Sequence, residues 1–144
     1  MLADDLRDLD PFETEWVRLD AARVKAFADV TEDWQFIHLD EEKAALTDFG
    51  GTVAHGFLTL SMLSMMSYQV IDRIDGVSAS INYGFDRIRF VSPVRVGRNV
   101  RGRFAVASVD EGAGWIGVHW DVQIDVEGEE RPAIVANWIT RLYP

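Results

Sequence analysis

Two of the three histidines, an aspartate five residues before one of them, and three glycines fall within one short stretch, "TEDWQFIHLDEEKAALTDFGGTVAHGF", Thr31 to Phe57. Asp33 and His38 stand five residues apart. A carboxylate beside an imidazole is the usual equipment for moving protons near neutral pH. On a continuous helix five residues turn through about 140°, so the two side chains would not share a face. They fall between two expected helices, where a loop can bring them together. The ordinary alternative is an aspartate that ends a helix and an unrelated surface histidine.

The "GGTVAHGF" segment stands just before the most apolar part of the chain. Its glycines permit tight turns and close backbone approach to a ligand. Gly56 sits where a helix would begin, with its N–H free at the positive end of the helix dipole. That is a ready donor to a developing oxyanion. The alternative is a plain loop leading into a helix. Ser61, Ser64 and Ser67 follow at three-residue spacing. Serines so placed mostly bond back to the preceding turn, and without an adjacent base they are not nucleophiles. His119 alternates onto the outer face of a strand and reads as solvated or packed.

Six of the twelve arginines, Arg87, Arg89, Arg95, Arg98, Arg101 and Arg103, form an island in an acidic chain. Guanidinium forks suit phosphates. The competing reading is a solvated strand face that balances nearby acids. No histidine pair stands at zinc-ligand spacing, so no metal is expected.

These residues need elements to position them. Asp20 is a good N-cap for a helix over "AARVKAFADVT". A short helix follows Asp40, with acids in its first turn. A third helix runs from about His55 to Ile71, apolar on almost every face, so most of its sides must be enclosed. At ~1.5 Å per residue it is about 25 Å long, the width of a sheet wrapped around it. From Val77 onward the pattern is of strands. An alternation through Phe85 slips phase beside Gly84, which suggests a bulge. Strands over Val100–Val109, Trp115–Val126 and Ala133–Leu142 form a meander. Helices followed by antiparallel strands make an α+β fold, with one long apolar helix against a curved antiparallel sheet.

Length and composition narrow the function classes. The 144 residues allow one domain with one real core, spanning residues 1–144. A hydrophobic content of 48% argues against disorder. A net charge of −10 argues against a general nucleic-acid binder. The absence of cysteine excludes disulfides, thiolate catalysis and cysteine-based zinc sites. Phe49 to Ile71 carries no Asp, Glu, Lys or Arg, but its polar residues favour a buried helix over a membrane span. The N-terminus is acidic without an apolar run, so no signal peptide is expected and the reading is cytoplasmic.

"DWQFIH" followed by "FGGTVAHGFLTLSMLS" resembles the MaoC-like dehydratase family, whose members include (R)-specific enoyl-CoA hydratases, and most of all its nodulation-protein-N-like branch. The resemblance extends from "VKAFADVTEDW" through "INYGFDRIRFVSPVRVG". It implies the hotdog fold, a long helix wrapped by an antiparallel sheet, paired into a homodimer. It implies hydration of trans-2-enoyl-CoA to (R)-3-hydroxyacyl-CoA, or the reverse. Asp33 and His38 take the places of the catalytic pair. Gly56 takes the place of the residue whose N–H faces the thioester carbonyl, with His55, Gln35 and Ser64 as further substrate-binding positions. The partner is an acyl-CoA substrate, with no nucleic acid, no membrane and no cofactor beyond the coenzyme A thioester itself. The family's Asn-Pro is Gln35-Phe36 here, which keeps an amide and loses a rigid turn. Two rivals remain: a hotdog acyl-CoA thioesterase and a non-catalytic acyl-CoA-binding hotdog protein.

Overall fold

A computed structural model describes residues 1–144. In chain order the elements are α1 (Leu2–Arg7), β1 (Phe12–Glu13), β2 (Val17–Arg18), α2 (Ala21–Thr31), α3 (Phe36–Leu39), α4 (Glu41–Ala45), α5 (Gly56–Ile71), β3 (Ala79–Phe90), β4 (Asn99–Gly112), β5 (Trp115–Val126) and β6 (Ile134–Tyr143). The Asp20 cap read from the sequence is in place, and the short helix after Asp40 forms. The Asp20 carboxylate accepts from the Arg23 N–H at 2.8 Å and starts α2. Asp40 accepts from the Lys43 N–H at 3.0 Å and starts α4.

The sheet is antiparallel throughout, in the order β1-β4-β5-β6-β3, with β2 pairing β4 further along the same strand. The β4–β5–β6 meander is the expected one. The long α5 helix separates β3 from the N-terminal elements, and β3 reaches the sheet's far edge by pairing with β6. Along β5, Val118, Trp120, Val122 and Ile124 point into the core while Asp121 and Gln123 point away. The Trp120 indole N–H donates to the Thr140 hydroxyl at 2.9 Å, so the buried ring leaves no polar atom unpaired.

α5 buries Leu58, Met62, Leu63, Met66 and Ile71 against this face. The three- and four-residue spacing makes them one stripe. Gly102 lets the helix come close: a β-carbon there would lie 3.1 Å from the Met66 sulfur and inside the Phe104 ring. The register of β3 against β6 shifts at two places, Asn82/Gly84 and Phe85/Arg87. The first is the bulge expected beside Gly84.

Two expectations need correction. α5 is not enclosed on most sides: Phe57 is 70% exposed, and Met65 and Tyr68 are exposed as well. The sheet curls around one side of the helix and leaves the other bare. The stretch between α2 and α4 is also not all loop, because α3 makes a single helical turn that carries His38. No helix is long and apolar enough to cross a membrane.

Candidate active site

Asp33 lies just beyond the end of α2. Glu32 terminates that helix in the left-handed region, φ 59°, and the Asp33 N–H still reaches back to the Ala28 carbonyl at 3.1 Å. The chain then turns, with the Asp33 carboxylate accepting from the Gln35 N–H at 3.3 Å. α3 begins there and swings His38 back toward Asp33. The Trp34 indole N–H donates to Asp29 at 2.8 Å and ties the turn to the last part of α2. That bond and the Lys25 ammonium hold the Asp29 carboxyl below the usual range, the lysine contributing most.

His38 Nε2 and the Asp33 Oδ2 oxygen stand 4.0 Å apart. His38 is 8% exposed, whereas Asp33 is half exposed. The other His38 nitrogen, Nδ1, lies 2.6 Å from the Val53 carbonyl oxygen. A carbonyl only accepts, so Nδ1 carries a proton, and in the neutral ring Nε2 presents a lone pair toward Asp33. The separation of 4.0 Å is too long for a hydrogen bond and suits one bridging water.

Val53 belongs to a strap laid along residues 94–96. Its N–H donates to the Ile37 carbonyl at 2.9 Å, the Ala54 N–H to Val94 at 2.8 Å, and the Val96 N–H to Thr52 at 3.0 Å. Glu41 locks the strap from outside, accepting from the Thr52 N–H at 2.9 Å and the Thr52 hydroxyl at 2.7 Å. Those two bonds, the hydroxyl's first, hold the Glu41 carboxyl below its ordinary range, with Arg95 adding to the effect. Arg95 also donates to the Phe49 carbonyl at 3.1 Å. A β-carbon on Gly51 would overlap the Arg95 guanidinium and the Glu41 carboxylate, and its φ of +154° also favours glycine. The Gly-Gly pair therefore serves the clamp rather than a ligand.

Beyond the strap, Gly56 opens α5. As the first helical residue its N–H has no carbonyl a turn earlier in the helix to bind. A β-carbon at Gly56 would stand 2.9 Å from two Phe90 ring carbons, so the close packing of that ring requires glycine. His38 and Gly56 line the same apolar pocket of about 300 Å³, walled by Ile37, Phe49, Phe90 and Ile134. A broader hollow of about 790 Å³ lies on the outer sheet face, among Glu13, Arg87, Arg103 and Asp121. It holds no base near an oxyanion donor, and Arg103 there is neutralised by Glu13 and Asp125 at 2.9 and 3.0 Å.

The remaining candidates are placed differently from one another. His55 is 2% exposed, its ring stacked on His38 at 3.7 Å between centroids, and it lines no part of the pocket. That seat does not fit direct contact with substrate, because His38 lies over it. Gln35 is exposed, and its main-chain carbonyl accepts from the His38 N–H at 3.1 Å. Ser64 is half-buried two turns along α5 and outside the pocket lining. The ligating atoms of Asp33, His38 and His55 all lie within 4.8 Å of one another. His55 Nε2, however, is 3.0 Å from the Asp33 backbone carbonyl and so carries its proton, which leaves a metal only two ligands of this trio.

Four arginines of the island balance acids: Arg95 with Glu41, Arg98 with Glu129, and Arg101 and Arg103 with Glu13. Arg95 and Arg98 nevertheless share a hollow of about 520 Å³ with Arg131, lined also by Glu129 and Glu130. Ser92 and Pro93 line both this hollow and the apolar pocket. Sequence order hid Arg131, which joins from the β5–β6 turn.

The profile of the MaoC like domain matches residues 9–127. The chain belongs to the MaoC-like dehydratase family. This MaoC-like protein is 46% identical to Nodulation protein N of Rhizobium leguminosarum bv. viciae, over 89% of its own length and 81% of the relative's. It is 40% identical to 3-hydroxyacyl-thioester dehydratase Z of Mycobacterium tuberculosis, over 90% of its length and 85% of the relative's. Among solved structures it is similar to the (R)-hydratase from A. caviae involved in PHA biosynthesis, with a TM-score of 0.74 and 28% identity. That match covers 93% of this chain and 97% of the other. The long helix on a curved antiparallel sheet is the hotdog fold of these neighbours. Hydratases and dehydratases of 3-hydroxyacyl and enoyl thioesters recur among the relatives.

Proposed function

We propose that this protein hydrates trans-2-enoyl-CoA to (R)-3-hydroxyacyl-CoA, or runs the reverse dehydration. The observation that carries the reading is that His38 and Gly56 line one apolar pocket, with the Asp33 carboxylate 4.0 Å from the His38 lone pair.

A water seated between Asp33 and His38 has acceptors on both sides. His38 Nε2 takes one of its protons as the oxygen bonds to C3 of the substrate. The C2=C3 electron pair moves toward the carbonyl and leaves enolate charge on the thioester oxygen. The Gly56 N–H, at the positive end of α5, meets that charge. A proton then passes from the Asp33/His38 pair to C2. One hydroxyl and one hydrogen have been added, and no electrons are gained or lost, so the step needs no redox group. The acyl chain enters the apolar pocket. The arginine hollow that shares Ser92 and Pro93 with it suits the anionic coenzyme A handle, whose binding energy helps to hold the thioester in place.

A second copy of the chain is the expected partner. β3 is a free sheet edge on which Ile81, Tyr83 and Phe90 are exposed, and the bare Phe57 of α5 packs edge-on against Phe90 at 6.0 Å. An unpaired apolar edge of this length is a surface that proteins cover.

The test is loss of enoyl absorbance with crotonyl-CoA and then a medium-chain enoyl-CoA, with the product resolved by chirality. An (R)-3-hydroxyacyl product supports the reading. Release of free coenzyme A without hydration assigns a thioesterase instead, and binding without turnover assigns a non-catalytic acyl-CoA-binding protein.

A further inference from the structure

His55 is the buried histidine that the proposed chemistry leaves idle. We propose that it is a positioning residue, which fixes Asp33 through its backbone and His38 through its ring, and never touches substrate.

The Asp33 carbonyl lies in an irregular turn and has no helical or strand partner. His55 Nε2 donates to it across 3.0 Å, linking the second residue after α2 to the residue that precedes α5. The same ring stacks on His38 with centroids 3.7 Å apart and planes 25° apart. Phe27 of α2 backs it from another direction at 4.9 Å. One rigid side chain thus sets both the peptide that aims the Asp33 carboxylate and the plane of the imidazole that faces it. Those two contacts, together with the Val53 hydrogen bond to His38, frame the 4.0 Å gap between the two groups.

An independent observation separates this from simple packing. His55 Nδ1 is buried and has no hydrogen-bond partner. A leucine or methionine would fill the space and leave no ring nitrogen unpaired. An unsatisfied buried polar atom calls for an explanation. Here the explanation is that the other ring nitrogen is needed as a donor to the Asp33 carbonyl, which an apolar side chain cannot supply.

The proposal's kinetic arm rests on the hydration reading, and its spectroscopic arm does not. In ¹⁵N-labelled wild-type protein, two-bond ¹H–¹⁵N correlations report which ring nitrogen of each histidine is protonated. His55 is expected as the Nε2–H form and His38 as the Nδ1–H form. A His55 ring protonated on Nδ1 alone overturns the proposal, whether or not the protein turns over any thioester. In the kinetic arm, His55→Leu lowers kcat by about 100-fold, the scale of a small misplacement of reacting groups, with KM within about threefold of wild type. His55→Gln restores a side-chain N–H of similar reach and brings kcat back to within about tenfold of wild type. Equal kcat in wild type and His55→Leu overturns the proposal. So does a His55→Gln variant that folds and is no better than His55→Leu. Wild-type protein with no hydratase turnover sinks the functional reading instead, and the tautomer spectrum then decides the role of His55.

Discussion

The Val53 carbonyl fixes the His38 ring by accepting from Nδ1 at 2.6 Å, although the Val53 side chain is apolar and takes no part in the chemistry. A backbone group thus decides which imidazole nitrogen can act as a base. The quality of that base depends on how firmly the strap around Val53 is held. The strap in turn depends on Glu41, which holds Thr52 by two hydrogen bonds.

The clamp gives a prediction with a defined sign in pH. Thr52 lowers the Glu41 carboxyl below its ordinary range in the folded protein. A depressed folded-state value contributes stability that is fully present above the unfolded glutamate range and is lost as pH falls through the lowered value. Glu41→Gln is therefore expected to melt at a lower temperature than wild type at neutral pH. The two melting curves should converge in acid, once Glu41 itself is protonated. Thermal melts across that range check this, and a gap that stays constant into strong acid contradicts it.

Gly56 offers a steric test. Its missing β-carbon makes room for Phe90, whose ring carbons would stand 2.9 Å away. Gly56→Ala is expected to cost about 1–3 kcal/mol by overpacking and to reduce turnover by shifting the N–H. Phe90→Ala in the same chain should recover much of the lost stability. A urea titration of the single and double variants reads this coupling directly.

Much of the scaffold was legible because its signals are local. Asp20 and Asp40 are strong caps, and β5 alternates without a break over Trp115–Val126. Asp33 and His38 stood out by residue type. The elements that sequence reading missed are those held by distant contacts. α1 has no side-chain cap and exists because Ala3 and Leu6 pack into the core. β1 and β2 are two residues each and depend on β4 for their pairing. α3 is a single turn with no side-chain cap, too short for any periodicity to show. The Gly51 clamp joins Glu41 to Arg95, residues far apart in the chain, so the glycine pair suggested a ligand where a side-chain pair sits. For His55, adjacency to Gly56 in the chain says nothing of direction, and the ring turns behind His38.

The arginine hollow predicts how the substrate's handle is read. Arg131→Ala is expected to raise KM for an enoyl-CoA by about threefold to tenfold, the scale of an exposed charge contact. KM for the matching pantetheine thioester, which lacks the phosphates, should not change. Steady-state kinetics with both substrates test this, and an equal effect on the two assigns Arg131 a role in folding rather than in phosphate recognition.

In the proposed reaction Asp33 and His38 hold and activate one water between them. The most direct measurement is enoyl-CoA hydration by wild type, Asp33→Asn, His38→Ala and the double variant, with folding checked by circular dichroism. Each single change is expected to lower kcat by about 10²- to 10⁴-fold, as removal of a positioned acid or base does. The double variant should lose little more than the worse single one, because groups that act as a unit are not additive. Hydration that survives in either single variant, or losses that multiply in the double, would contradict the account.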